Sequence, residues 1–162
     1  MADARIFADL KSDHDNHRAL LARIDKTRSN KSGDRGALEK LFIEFRTEVT
    51  AHAAAEEESL YATMLAKPDL REEAQHSVSE HKEIEDYMED MAKYDAGSPK
   101  WDEIYAQLKK RYLHHIDEEE EEMFPAASDG LSAQEEQRLA ATFEKRKPAE
   151  LKRAKEEVKE KA

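Results

Sequence analysis

Apolar residues recur at steps of three and four along four long segments of the chain. These steps place one side of a helical segment against a protein core. The predicted helices run from about 4 to 26, 35 to 64, 69 to 94 and 99 to 122. No run with the two-residue period of a strand competes with them. The pattern predicts an all-α protein.

Turn-forming residues separate the four segments. Residues 29–36 form a polar loop with two glycines, Pro68 opens the third segment together with a capping box, and Gly97-Ser98-Pro99 provides a stop, an N-cap and a first-turn proline. Phe124-Pro125 is predicted to end the fourth helix. Short connections favour an up-down-up-down four-helix bundle, which we assign to residues 1–128.

A C-terminal helical extension, residues 129–162, follows the bundle. Its helix begins near Ser132 and carries Leu139 and Phe143 as apolar positions. Pro148 is predicted to interrupt this helix before a tail rich in Lys, Glu and Ala, because proline lacks an N–H and clashes with the preceding turn. We expect the additional helix to pack across the bundle.

Histidine and glutamate residues fall inside the apolar stripes. A His and a Glu four residues apart share one helix face, and this spacing occurs twice, within His52 to Tyr61 and within His115 to Phe124. Ser12-Asp13-His14 also matches Ser79-Glu80-His81, so the two halves repeat. The inward-facing candidates are His14, His52, Glu56, His81, His115 and Glu119.

The position of these residues in the stripes indicates a bound cation. One His-x-x-x-Glu pair is weak support in a chain with 38 acidic residues and 7 histidines, because such pairs are usually exposed. A carboxylate that faces a core costs several kcal/mol unless it is paired or bound to a metal. Two such carboxylates among four inward histidines therefore predict a metal centre.

Composition narrows the class of protein. A length of 162 residues suits one domain, and the formal net charge of -11 argues against nucleic acid and anionic membranes as partners and favours cations. The absence of cysteine excludes thiolate zinc sites, disulfides and cysteine-ligated iron–sulfur clusters. No signal peptide and no apolar run near the roughly 20 residues of a membrane span are recognisable, so we predict a cytoplasmic protein.

These residues resemble the hemerythrin-like family, also called HHE cation-binding domains. The resemblance covers about residues 10–125 and rests on Leu10-Lys-Ser-Asp-His14, His52-x-x-x-Glu56-Glu, Glu80-His81 and His115-x-x-x-Glu119-Glu-x-x-x-Phe124-Pro125. It implies a non-haem di-iron centre, with two iron ions joined by an oxo or hydroxo bridge. It further implies His14 and His52 on one iron, His81 and His115 on the other, and Glu56 and Glu119 bridging both.

One position departs from the oxygen-carrying members, which have a fifth histidine one turn before the third-helix ligand. That position is Ser77 here. His76 is five residues from His81, which rotates it by about 140°, so we predict that it is not a ligand. Both irons would keep open positions, which favours redox reaction over reversible oxygen transport.

Four other features have simpler interpretations. His17 lies one turn from His14, and two roles are open for it: a buried histidine that is hydrogen-bonded to a neighbour, or a histidine that takes part in the metal site. Tyr112 is expected in the core, His114 at the surface or behind His115, and the run 118–122 on a solvated face apart from Glu119.

Several functions are compatible with this reading. The leading hypothesis is a di-iron protein that binds or reacts with a small diatomic or peroxide, such as oxygen, nitric oxide or hydrogen peroxide, in oxidative-stress response or sensing. The alternatives are an iron storage or sensor module and a structural bundle filled with zinc or another divalent ion. A histidine phosphotransfer bundle is disfavoured because its histidine must be exposed. The oligomeric state and enzymatic activity are left open.

Overall fold

The computed structural model describes residues 4–30 and 34–161, which form helices and no strand. Two π-helical segments, Glu57–Tyr61 and Glu119–Met123, interrupt the α-helices without breaking them. The all-α prediction is confirmed. Residues 31–33 of the predicted loop lie outside the described residues. The helices are α1 Arg5–Ser29, α2 Arg35–Glu56, α3 Ala62–Ala66, α4 Pro68–Met91, α5 Pro99–Glu118, α6 Phe124–Gly130 and α7 Ala133–Lys161.

Four helical rods form the predicted up-down-up-down bundle. They are α1, α2 with α3, α4, and α5 with α6, since each π segment continues the helical backbone. Helix α1 packs on α2, and α4 packs on α5. Asp34 caps α2 by accepting from the Gly36 N–H at 2.8 Å, and Ser98 caps α5 by accepting from the Trp101 N–H.

The prediction that Phe124-Pro125 ends the fourth helix is wrong. The chain stays helical to Gly130. The N–H of Phe124 donates to the Glu119 carbonyl five residues back, as in a π-helix. Pro125 therefore lies directly after the π segment, at the start of α6.

The predicted interruption at Pro148 is also wrong, since α7 continues through it to Lys161. Leu139 and Phe143 are buried before the proline, and Ala154 and Val158 are buried after it. Apolar burial on both sides holds the helix together against a cost of about 3 kcal/mol for an interior proline. Helix α7 lies mainly along α2, and it also contacts α1.

The apolar core consists of two clusters with a polar layer between them. One cluster includes Leu21, Phe45 and Trp101, and the other includes Leu60 and Phe143. Each rod of the bundle contributes to both clusters and changes from one to the other where its candidate ligands lie. No helix within residues 4–30 and 34–161 is both long and apolar enough to cross a membrane.

Candidate metal centre

The polar layer brings all six predicted ligands together. Two groups of four residues have donor atoms within 4.8 Å of one another, and Glu56 and Glu119 belong to both groups. We call these six residues the His/Glu cluster. The first group adds His14 and His52, and the second adds His81 and His115. Both carboxylates are almost fully buried.

Every histidine of the cluster is oriented by a carboxylate at its Nδ1 atom. Such a partner fixes the ring and turns the other nitrogen, Nε2, towards a metal. These partners come from neighbouring rods, so the bundle itself sets each ring. The pairs are His14 with Glu120 at 2.7 Å, His52 with Asp13 at 2.8 Å, His81 with Glu57 at 2.8 Å and His115 with Glu80 at 2.9 Å.

These four carboxylates follow the sequence repeat. Asp13 and Glu80 each precede a cluster histidine, and Glu57 and Glu120 each follow a cluster glutamate. The repeat contains them in both halves, but spacing alone does not show that they reach across to another rod. Glu120 is correspondingly half-buried, unlike the solvated position expected for it.

Several donor atoms of the cluster have no hydrogen-bond partner among the described residues. They are Nε2 of His14, Nε2 of His52, both carboxylate oxygens of Glu56 and Oε1 of Glu119. Each buried polar atom left in this way costs about 1–3 kcal/mol. The donors face each other at distances such as 3.4 Å between His81 Nε2 and Glu56 Oε1. A cation among them would satisfy all of these atoms, so the residues fit a metal ion.

Without a metal the cluster retains protons. Burial and the adjacent Glu56 raise the pKa of Glu119. Burial disfavours the imidazolium of His52, but Asp13 and Glu56 outweigh it and raise its pKa to about 9. Burial also disfavours the imidazolium of His115, but the adjacent Glu119 outweighs burial and raises the pKa of His115 to about 10. Metal ions would therefore displace protons from this site.

Two aromatic rings flank the cluster in equivalent positions of the repeat. Phe124 stacks on His14 with ring centroids 6.0 Å apart, and Tyr61 stacks on His81 at 5.3 Å. Unlike Phe124, Tyr61 has a hydroxyl, which donates to Glu119 Oε2 at 3.0 Å. Tyr61 is a site residue that the apolar stripe did not reveal, although the match of Tyr61 with Phe124 in the repeat could have identified it.

The remaining polar residues lie outside the cluster. His17 and Tyr112 share a hydrogen bond of 2.5 Å between Nδ1 and the hydroxyl, and burial lowers the pKa of His17 well below its usual value. His76 and His114 are exposed. The Ser77 hydroxyl donates to the Met123 sulfur at 3.8 Å and adds no histidine-like donor.

Two cavities reach the cluster from different sides. The first, about 380 Å³, lies between α2, α4, α5 and α7, has Val78, Ile84 and Met88 among its walls, and reaches His52, His81, His115 and Tyr112. We call it the α7 cavity. The second, about 460 Å³, lies between α4 and the α5–α6 rod and reaches His115 and Glu119. We call it the acidic cavity because carboxylates line most of its wall.

The fold and the cluster define a helical-bundle protein with an interior histidine and carboxylate site suited to cations. Residues 5–127 match the family described as the hemerythrin HHE cation binding domain. The chain belongs to this family.

A DNA nickase from Nostoc sp. (strain PCC 7120 / SAG 25.82 / UTEX 2576) is 25% identical to the chain over 146 residues. The alignment covers 87% of this chain and 38% of that protein, so the chain spans well under half of its relative. No solved structure matches the chain.

Proposed function

We propose that the His/Glu cluster binds two iron ions and that the centre reacts with a small oxidant or diatomic molecule. His14 and His52 would hold one ion, His81 and His115 the other, and Glu56 and Glu119 would bridge them. The sharing of both carboxylates between two four-donor groups carries this proposal. Bound ferrous iron would supply the two electrons that convert hydrogen peroxide and two protons into two waters.

The number of protein donors supports reactivity. Each group offers two nitrogens and two carboxylates, and non-haem iron with such incomplete nitrogen and oxygen ligation keeps positions for other ligands. A fifth histidine would occupy one of them, but Ser77 stands at that position and points to Met123.

The α7 cavity supports access for a small uncharged molecule. Val78, Ile84 and Met88 line it beside three cluster histidines, and its charged lining residues include the cations Lys82 and Arg153 as well as carboxylates, unlike the acidic cavity. Tyr112 lines this space, and its hydroxyl is hydrogen-bonded to His17. Burial raises the pKa of Tyr112 well above its usual value, so the residue adds an uncharged phenol to the cavity wall.

DNA nicking, the activity in the name of the Nostoc protein, is not part of the function proposed for this chain. The shared region is a minor part of that protein, and a net charge of -11 opposes binding to DNA. An iron storage or sensor role uses the same cluster but gives no reason for a cavity that reaches three of its histidines.

Metal analysis and spectroscopy test the proposal together. Protein from iron-replete cells should contain two irons per chain. After anaerobic loading with ferrous iron, exposure to oxygen or hydrogen peroxide should produce near-UV charge-transfer bands of ferric iron that persist when oxygen is removed. Bands that disappear on deoxygenation alone would identify an oxygen carrier, and iron-loaded protein without such bands would favour a structural metal.

A further inference from the structure

Carboxylates surround the acidic cavity from two sides. Asp69, Glu72 and Glu73 come from α4, Glu118 comes from α5, and Glu122 comes from the second π segment. None of the residues described along this cavity is Lys or Arg. Burial and the nearby Glu122 raise the pKa of Glu73, as expected where carboxylates repel one another.

One group in this cavity has the composition of a metal site. His76, Glu80 and Glu118 place donor atoms within 4.8 Å of one another. His76 Nε2 lies 3.5 Å from a Glu80 oxygen and 3.7 Å from a Glu118 oxygen. His76 is exposed and Glu80 is buried, so the group extends from the surface inward. Arg111 donates at 3.2 Å to the same Glu80 oxygen that faces His76, so a cation in this group would compete with Arg111 for Glu80, whereas Glu118 faces His76 and His114.

The inner end of the same cavity is the His/Glu cluster. Glu80 accepts from His115 Nδ1 at 2.9 Å, so it contacts both the outer group and a cluster histidine. Glu119 lines the cavity and is almost fully buried. Its Oε1 has no hydrogen-bond partner among the described residues and lies 3.8 Å from His14 Nε2, inside the cluster. The cavity thus ends at a carboxylate of the cluster that can still bind a cation.

We propose that the acidic cavity is the path by which divalent cations enter the centre, with His76, Glu80 and Glu118 as the first binding site on that path. This inference rests on the proposed function, because the path leads to the cluster. Negative charge around a cleft raises the local concentration of cations and their association rate, by about 10- to 1000-fold in favourable cases. The α7 cavity is then left for the small ligand.

Cobalt(II) is a suitable probe because it binds nitrogen and oxygen donors and its visible bands report binding without reaction with oxygen. Metal-free protein is mixed with cobalt(II) in a stopped-flow instrument, and bound cobalt is counted after equilibration. Glu118→Gln and His76→Ala should each slow loading, by about tenfold for the double variant, while the final tightly bound count stays at that of the wild type.

Two matched variants separate the path from general charge effects. Glu121→Gln makes the same charge change on the same rod at an exposed position outside the cavity, and Glu85→Gln does so at the α7 cavity. Both should load at the wild-type rate. Glu122→Gln, an exposed change on the cavity wall, replaces Glu118→Gln if circular dichroism shows that the latter is misfolded.

The outcomes distinguish this inference from the proposed function. Unchanged loading rates with two cobalt ions bound would overturn the path and leave the centre intact. Equal slowing by Glu85→Gln or Glu121→Gln would also overturn it. A lower final count in His76→Ala would make His76 a ligand of the centre rather than part of a path. Wild-type protein that binds no cobalt would overturn the centre and the path together.

Discussion

Each cluster histidine has one nitrogen held by a carboxylate and the other facing the cluster. This arrangement predetermines the ring orientation before a metal arrives, so binding orders little of the site. Glu56 differs from the other members because neither of its carboxylate oxygens has a hydrogen-bond partner among the described residues, whereas Glu119 accepts from Tyr61 and each histidine is held at Nδ1. Glu56 is therefore the member of the cluster that most depends on a cation.

Glu119→Ala should release metal because, in the proposed centre, this one carboxylate would serve both ions. We expect a loss of affinity above the 10- to 100-fold typical of changes to the groups behind metal ligands, together with a lower unfolding temperature of the metal-loaded protein. Glu121→Ala is the control, since Glu121 is exposed on the same rod. Equal metal retention in the two variants, measured by elemental analysis after desalting, would contradict the assignment of Glu119.

The metal-free protein should lose stability as pH rises. His52 and His115 have pKa values of about 9 and about 10 in the folded chain, above roughly 6.5 in an unfolded chain. Their stabilisation is complete below about pH 6.5 and is lost as pH rises through 9 to 10.

Urea unfolding in the presence of a chelator measures this effect. The unfolding free energy should fall by roughly 7 kcal/mol between about pH 6.5 and 10, since the two pKa values are raised by about 2.5 and about 3.5 and one pKa unit corresponds to about 1.4 kcal/mol. The metal-loaded protein should show a smaller decrease because ions have replaced the protons. A metal-free protein with the same stability at pH 6 and pH 10 would exclude this protonation scheme.

At the scale of single residues, helical spacing in the sequence was sufficient to predict the six residues of the cluster. It did not identify Asp13 or Glu120 as partners of histidines, because contacts between rods depend on how the helices are rotated and offset. Tyr61 was missed for a related reason. The apolar stripe was drawn with α-helical spacing, in which residues three or four apart share a face, whereas Tyr61 lies in a π segment, where residues five apart share a face.

At the scale of elements, the pattern of apolar and polar residues did not predict the two π segments. The first starts at Glu57, directly after Glu56, and the second starts at Glu119 itself. Each shifts hydrogen bonding to the fifth residue, so that Leu60 and Tyr61 are both buried. The π segments thereby allow a carboxylate and an aromatic ring to share the inner face of one rod.

Helix α7 contributes directly to the surroundings of the cluster, although it lies beyond the family match at residues 5–127. Lys147 donates to Asp13 at 2.6 Å, and the same Asp13 oxygen lies 2.8 Å from His52 Nδ1. The Phe143 ring packs edge-on against His52. Neither contact follows from the sequence pattern, because the spacing of apolar positions within α7 does not show which rods of the bundle the helix lies against.

Lys147→Met should lower the free energy of unfolding and loosen the position of Asp13, which orients the His52 ring. Lys147 and Asp13 are both largely buried, and loss of a hydrogen bond between charged groups costs about 1.5–3 kcal/mol. Metal affinity should fall in parallel. Lys145→Met is the matched control, since Lys145 is exposed on the same helix. Chemical unfolding and a cobalt(II) titration of both variants measure the difference; identical values would show that α7 has no influence on the centre.

At the scale of the whole molecule, the polar layer divides the core of a small bundle in which 40% of residues are charged and 38% hydrophobic. The layer holds two carboxylates and four histidines at the point where a bundle of this size would otherwise place apolar side chains. Stability should therefore be unusually dependent on occupancy of the site, since a ligand that binds only the folded state stabilises it.

Metal removal should lower the unfolding temperature substantially. With free metal at 1,000 times its dissociation constant, the loaded protein should gain about 4 kcal/mol per independent site. Differential scanning calorimetry of chelated and reloaded protein measures the change. Similar transitions in both samples would show that the bundle does not use the cluster for stability.

The two halves of the cluster also differ in access to solvent. His52, His81 and His115 border the α7 cavity and His115 also borders the acidic cavity, whereas His14 lines neither of these two described cavities. An ion held by His81 and His115 should consequently exchange faster than one held by His14 and His52, because both histidines of the first pair line a cavity and only one of the second pair does. Brief treatment with a chelator followed by a second metal would then produce a mixed-metal protein, in which two chemically similar positions become separately observable.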